Sequence, residues 1–204
     1  MNNIADSQTF DPLLVCHCTK ALISALKHRD VHTLMHSQRV IQLTQQLGQA
    51  CGLSEKELKI ARTAACFHDI GKIGIADEIL LKSGRLNEAE WEIMKTHSSI
   101  GEDIINGLDM EESEQIARIV RHHHEYHCGK GYPDRLAGEA IPPIARIISI
   151  TDSYDAMTVV RPYHSKKSHQ MTMDIIQKEI EHKFDPYIAK QFIAMIESSE
   201  FKAE

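Results

Sequence analysis

Between Val40 and Ile196 the apolar residues recur three and four positions apart, and nowhere do apolar and polar residues alternate for long enough to make a sheet. That period confines the chain to a helical fold. Val40, Leu43, Leu47 and Ala50 mark one helix, which Gly52 stops. Ser54 with Glu57 three residues on is a capping box, opening a helix that carries Leu58, Ala61, Ala65 and the pair His68-Asp69. Gly71 and Gly74 break that helix, and Asn87 with Glu90 opens the next, through Trp91 and Met94. Further helices are expected over about 112–124, 144–158 and 171–196, the last interrupted at Phe184-Asp185-Pro186. The one long glycine-rich loop runs over 128–143. The expected architecture is one all-α domain over residues 21–204, with a short N-terminal segment, residues 1–20, packed on it.

A chain of 204 residues can bury roughly 70% of its unfolded surface, so neither a disulfide nor a metal is needed for stability alone. The five cysteines are scattered, and the triplet Cys16-His17-Cys18 has no second thiol pair at zinc-finger spacing. They read as free thiols in a reducing compartment. Residues 1–10 are polar and do not form a secretory signal, and no apolar run approaches the about 18 residues of a membrane span. A soluble, cytoplasmic protein is expected. Its 23 basic against 29 acidic residues leave a net charge of −6, which argues against a surface built for DNA, RNA or an anionic membrane.

Thirteen histidines are more than such a chain needs for folding. His36, His68-Asp69, His97, His123-His124 and Asp152 fall on five separate helices, as expected where a bundle builds a metal site in its interior. Taken singly, each histidine reads as a capping or surface residue. Asp152 is harder to place that way. It interrupts the apolar run Ile147, Ile148, Ile150, Ala156, and a buried carboxylate needs a cation or several donors. Asp69, beside His68 at a helix end, could bridge two ions while the imidazole binds one. Nitrogen and carboxylate ligands without thiolate suit iron, manganese or zinc in a working site.

Read in order, H-D-I-G-K at 68–72, H-H-E at 123–125 and G-Y-P at 131–133 resemble the HD-GYP family, a branch of the HD-domain metal-dependent phosphohydrolases. The resemblance runs from about Ala21 to Ile196, and takes in H-S-Q-R-V at 36–40, W-E-I-M-K at 91–95, D-S-Y-D-A-M-T at 152–158 and R-P-Y at 161–163. It implies an HD-domain helical bundle and hydrolysis of cyclic di-GMP to the linear dinucleotide pGpG or onward to GMP. It assigns one metal to His36, His68, Asp69 and Asp152, and another to His97, His123, His124 and the shared Asp69. Asp69 and Lys72 are then the catalytic pair. Lys72, Gly131, Tyr132, Pro133 and Arg161 would meet substrate, with His164 a further candidate. Iron or manganese is preferred, with zinc, nickel and magnesium as alternatives. Two such ions held roughly 3.5–4 Å apart neutralise a phosphodiester and supply hydroxide near neutrality.

The chain departs from the family at several positions. Cys128-Gly129 stands where Asp-Gly is usual, His164 where a permanent cation is common, Val160 where a polar residue is usual, and Ser98 where proline often follows the histidine. None removes a ligand, but a contact through His164 would depend on pH. His32 lies one helical turn before His36, where some members carry a glutamate and a third metal. It reads as a third-metal ligand, a support for His36, or a solvent-facing residue, with the third metal the lesser reading. His122 and His127 are expected at the surface. Cys128 near an iron pair invites a redox role, against which a tolerated substitution is the plainer reading.

The sequence thus reads as a stand-alone metal-dependent phosphodiesterase, regulated through expression, oligomerisation, metal state or another protein. Two alternatives stand beside it: a phosphodiesterase for another cyclic dinucleotide such as cyclic GMP-AMP, and a non-catalytic cyclic di-GMP-binding signalling protein. A GGDEF-domain protein is the protein partner the resemblance suggests, and the oligomeric state stays open, a homo-oligomer included.

Overall fold

The computed structural model describes residues 22, 24, 31–159 and 166–203, and of residues 31–34 the backbone alone. Cys16, His17, Cys18, Val160, Arg161 and His164, with the side chain of His32, therefore lie outside the described part. Nine α-helices follow one another in it: α1 Val31–Ala50, α2 Glu55–Phe67, α3 Asp77–Leu80, α4 Glu88–Lys95, α5 His97–Asn106, α6 Ser113–His122, α7 Pro143–Thr158, α8 His169–Lys178 and α9 Pro186–Ile196. The described residues contain no strand; two isolated bridges, Cys128 with Ala137 and Ile180 with Phe184, pin loops.

The local signals in the sequence account for most helix ends. Gly52 adopts φ +80°, which lets Leu53 N–H reach Gly48 O at 2.9 Å and Gly52 N–H reach Gln49 O at 3.0 Å. Those two bonds satisfy the last carbonyls of α1 and turn the chain. Ser54 and Asn87 each exchange bonds with the glutamate three residues on, so both capping boxes form. The expected helix over 171–196 is two helices, separated by more residues than the Phe184-Asp185-Pro186 signal alone indicated. Glu181 sits at φ +68°, outside helical geometry, and Asp185 starts α9 by accepting from Tyr187 N–H and Ile188 N–H. Pro186, whose missing N–H is not needed there, takes the first helical position.

Helices α1 and α7 pack together and belong to two apolar clusters. On one side Val40 and Ile41 of α1 and Ile144 and Ile148 of α7 meet α2 and α6 through Ala61, Ala65, Ile116, Ile119 and Val120. On the other, Leu43, Leu47, Ile147, Ile150 and Tyr154 meet α8 and α9 through Met173, Ile176, Phe192 and Ile196. Each Val, Leu, Ile, Phe or Met side chain among them contributes about 1.5–3 kcal/mol when fully buried. The double burial leaves α7 buried on nearly all sides, several of its polar residues included. It also means that Asp152 and Asp155, on α7, must find polar partners inside the bundle. No helix of the described residues is long and apolar enough to cross a membrane.

Candidate metal centre

Three of the candidate histidines are held by one local device. His68 follows the last residue of α2, His123 follows the last residue of α6, and His97 opens α5 just after α4 ends. Each points Nδ1 at a carbonyl three residues back: His68 to Ala65 O at 2.7 Å, His97 to Met94 O at 2.8 Å, His123 to Val120 O at 2.6 Å. The end of a helix leaves such carbonyls without intrahelical partners. A carbonyl oxygen only accepts, so Nδ1 carries the hydrogen in each ring and a neutral imidazole presents its lone pair on Nε2. His36 is oriented by a side chain instead, with Nδ1 2.6 Å from Asp155 Oδ2.

The four Nε2 atoms converge around Asp69. One group of potential ligand atoms comes from His36, His68 and Asp69, another from His97, His123 and His124, each mutually within 4.8 Å. His36 Nε2 lies 3.3 Å from His68 Nε2 and 3.0 Å from Asp152 Oδ1, which closes the first group with a second carboxylate. Asp69 faces both groups with different oxygens. Its Oδ2 is 3.5 Å from His68 Nε2 and 4.0 Å from His36 Nε2, while Oδ1 is 3.6 Å from His97 Nε2. Every metal-ligand candidate read from the sequence except His32 is therefore brought into one cluster.

Burial sets the electrostatics. His123 is fully buried, and its pKa is pushed down to about 3 by burial, then by the neighbouring His68 and His97. Burial likewise lowers His97 and His124. Burial opposes the His36 cation too, but its bonds to Asp152 and Asp155 outweigh that and raise it to about 9. Asp69 is buried, which would raise its pKa, but the charge of Lys72 holds it well below the usual carboxylate range. Lys72 Nζ lies 2.6 Å from Asp69 Oδ2, so the lysine sits at the edge of the cluster rather than apart from it.

A divalent cation fits this donor set. His97 Nε2 and His123 Nε2 are buried without any hydrogen-bond partner, which is costly for a polar atom unless something else occupies its lone pair. Neutral imidazoles and carboxylates suit a borderline or hard divalent ion.

Two residues to which the sequence reading gave no role support this cluster. Asp155, three residues after Asp152 on α7, takes His36 on one oxygen and Arg39 on both, with Arg39 Nε 2.6 Å from Oδ1 and Arg39 Nη2 3.0 Å from Oδ2. The helical spacing from Asp152 was the available signal. A carboxylate behind a ligating imidazole fixes its tautomer and orientation, so Asp155→Ala is expected to weaken divalent-metal affinity about 10–100-fold, as read by competition with a chromophoric chelator. Unchanged affinity would mean that packing alone holds His36.

The G-Y-P loop is fastened to the cluster. Tyr132 stacks on His124 with ring centroids 4.8 Å apart, and its N–H donates to His124 O at 3.3 Å. A side chain at Gly131 would collide with the backbone of Glu125 and Tyr126, so glycine is demanded there by close approach. The expectation that His122 and His127 lie at the surface is corrected. His122 is buried and contacts Asp134 Oδ2 through Nε2 at 2.8 Å, while Glu125 accepts from Asp134 N–H at 2.7 Å. With Arg121 Nε 2.6 Å from Asp134 Oδ2 and Nη2 2.7 Å from Oδ1, these contacts clamp the loop from below. His127 is three-quarters buried, 3.9 Å from Asp185. Both were misread because local polarity does not show that a loop folds back over a helix end. Cys128 is exposed, and its N–H donates to His182 O at 3.0 Å, so the loop is anchored there by backbone. Ser98 is buried and donates to Lys95 O at 3.1 Å.

Residues 20–188 match the model of the HD domain. The chain is 38% identical over 165 residues to the cyclic di-GMP phosphodiesterase response regulator RpfG of Xanthomonas campestris pv. campestris, covering 81% of this chain and 44% of that one. It is 36% identical to a cyclic di-GMP phosphodiesterase of Thermotoga maritima, covering 83% and 46%, and 33% identical to 3'3'-cGAMP-specific phosphodiesterase 2 of Vibrio cholerae, covering 83% and 32%. The chain thus spans less than half the length of these curated relatives. Among solved structures, the HDG"Y"P protein Bd1817 of Bdellovibrio bacteriovorus superposes with TM-score 0.66 at 16% identity, covering 81% of this chain and 52% of that one. At that identity the likeness is one of fold.

Proposed function

The chain belongs to the HD-domain family, in its HD-GYP branch, and on that premise we propose that it is a metal-dependent phosphodiesterase hydrolysing cyclic di-GMP to pGpG or GMP. The observation that supports this most is Asp69, whose two oxygens face two separate groups of imidazole nitrogens. His36, His68, Asp69 and Asp152 would hold one divalent ion, and His97, His123, His124 and Asp69 the other, with iron or manganese the preferred metals. Bound there, the ions would supply charge neutralisation for the phosphodiester and hydroxide near neutral pH. The side chains do the rest. Asp69 and Asp152 set the charge of the cluster and fix the imidazoles by their positions. In His68, His97 and His123 the carbonyl-bonded Nδ1 atoms leave the Nε2 lone pair free for a metal, whereas His36, favoured as a cation by Asp152 and Asp155, would give up a proton to bind one. Lys72 lies beside Asp69 on a short 3-10 turn, Ile70–Gly74, with its ammonium partly open to solvent, where it can bind a non-bridging phosphate oxygen and stabilise charge that develops on it. Tyr132, packed on His124, walls the approach. Gly131 and Pro133 shape that wall, and Arg161 would contact the nucleotide.

Lys72→Ala is expected to lower kcat on a cyclic dinucleotide about 10²–10³-fold, the usual cost of removing one preorganised donor to developing charge. Bound metal per chain should stay as in the unsubstituted protein. If kcat holds and only metal content falls, Lys72 serves the cluster and not the phosphate.

Relatives named for 3'3'-cGAMP favour a second reading of the substrate, because their identity to this chain is close to that of the cyclic di-GMP enzymes. The test is hydrolysis of both cyclic dinucleotides by anaerobically purified protein reconstituted with Fe(II) or Mn(II), with products resolved by chromatography. Turnover of cyclic di-GMP supports the main reading, and turnover of cyclic GMP-AMP alone moves the assignment. Tight binding of a cyclic dinucleotide with no turnover, at full metal content, leaves a signalling receptor.

A further inference from the structure

Beside the metal cluster, α4 and the G-Y-P loop line an open cavity of about 620 Å³. We infer that it is a purine-nucleoside subsite, which takes the nucleoside of the cyclic dinucleotide that lies away from the scissile phosphate. The inference rests on the phosphodiesterase reading for the identity of the ligand, and on the cavity itself for its chemical class.

The lining combines flat aromatic faces with cations. Trp91 stands on α4 with 45% of its surface exposed and lines the cavity. Its ring meets that of Tyr132 edge-on, with centroids 6.3 Å apart at 83°. Tyr126 completes the aromatic lining from the loop. Lys95 Nζ lies 5.7 Å from the Tyr132 centroid and is steadied by Glu92 at 2.6 Å. Lys130 and Arg135 add two more cations, and neither forms an ion pair among the described residues. Three cations against one acid, in a chain of net charge −6, mark this as a place for an anion. Aromatic faces interleaved with cations suit a base and its phosphate, since every base offers a π face and the cations reach its backbone.

The cavity also adjoins the cluster. Tyr132 is a wall of both: in the cavity lining its ring meets Trp91 edge-on, and toward the cluster it packs on His124 at 4.8 Å. A ligand that leaves its phosphate at the cluster and passes Tyr132 puts its next aromatic group against Trp91. A cyclic dinucleotide has a base to place there; a simple phosphodiester does not.

Trp91 is the only tryptophan, so its fluorescence reports the cavity directly and needs no turnover. Titrating the full chain with cyclic di-GMP and with GMP is expected to quench it saturably, and ribose 5-phosphate, which lacks the base, is expected not to. Reversing two charges in Lys130→Glu/Arg135→Glu should weaken both titrations about tenfold or more. In the metal-loaded protein, Trp91→Ala should lower kcat/KM on cyclic di-GMP about tenfold or more relative to kcat/KM on bis(4-nitrophenyl) phosphate. A linear quench without saturation, one that ribose 5-phosphate reproduces, or one unmoved by the charge reversal would overturn the subsite. If the quench saturates as expected while neither phosphodiester is hydrolysed, the subsite stands as a purine-nucleotide site and the phosphodiesterase reading is what fails.

Discussion

Asp69→Ala is expected to empty both metal positions together and to lower cyclic dinucleotide hydrolysis by about a thousandfold or more. The argument is geometric. Among the candidate ligands, Asp69 is the residue that sets one oxygen toward His36 and His68 and the other toward His97. Removing it takes a charge and a ligand from each group. It also leaves Lys72 without its carboxylate and next to imidazoles, which repels an incoming cation. Asp152→Ala is the informative comparison, because Asp152 Oδ1 approaches His36 and His68 only, at 3.0 and 4.0 Å. Metal content measured by plasma mass spectrometry should fall to nearly nothing in the first variant and by about half in the second. Equal losses in the two would show that Asp69 does not join the groups. Full metal content in Asp69→Ala would remove it from the ligand set.

The second large effect comes from a residue that touches no candidate ligand with a side chain. Gly71 lies on the short turn between Asp69 and Lys72, and a Cβ there would fall inside the His97 carbonyl oxygen and crowd Gly101 N. Both obstacles are backbone, so neither can rotate away. Gly71→Ala is therefore expected to cost about 3 kcal/mol or more, the range of an overpacked core. At about 2–4 °C per kcal/mol for a domain of this length, Tm should fall by about 6–12 °C. The same displacement moves α5, and His97 with it, from Asp69, so metal affinity should fall even at temperatures where the chain stays folded. Gly84→Ala is the control, since nothing lies within 4 Å of a Cβ there. A Gly71→Ala protein as stable as the control would mean that the turn and α5 are less tightly packed than the structure has them.

Helix content, two capping boxes and the stop at Gly52 were legible because each depends on residues within about one turn of one another. The ligand set was legible in a different way. Spacing alone left each histidine as an ordinary polar residue, and the ordered motifs made them a set through resemblance to a family. Asp155 escaped because its partner His36 lies 119 residues away. His122 was assigned to the surface because the loop that buries it, through Asp134, returns from twelve residues downstream. The cavity escaped for a related reason: W-E-I-M-K reads as one face of an amphipathic helix, and nothing local shows that Tyr132 and Arg135 close over it.

By itself, then, the sequence determined a helical fold, the helix starts at Ser54 and Asn87, the stop at Gly52 and which residues bear metal-binding chemistry, since propensity, capping and residue type act over a few positions. The tertiary structure decided which nitrogen of each imidazole faces inward, which oxygen of Asp69 faces which group, and that an exposed Trp91 has Tyr132 opposite it. Those facts depend on α1, α5, α6 and α7 meeting in space, and contacts between elements a hundred residues apart are fixed by the packing of the whole core, to which every helix contributes and which no short stretch encodes.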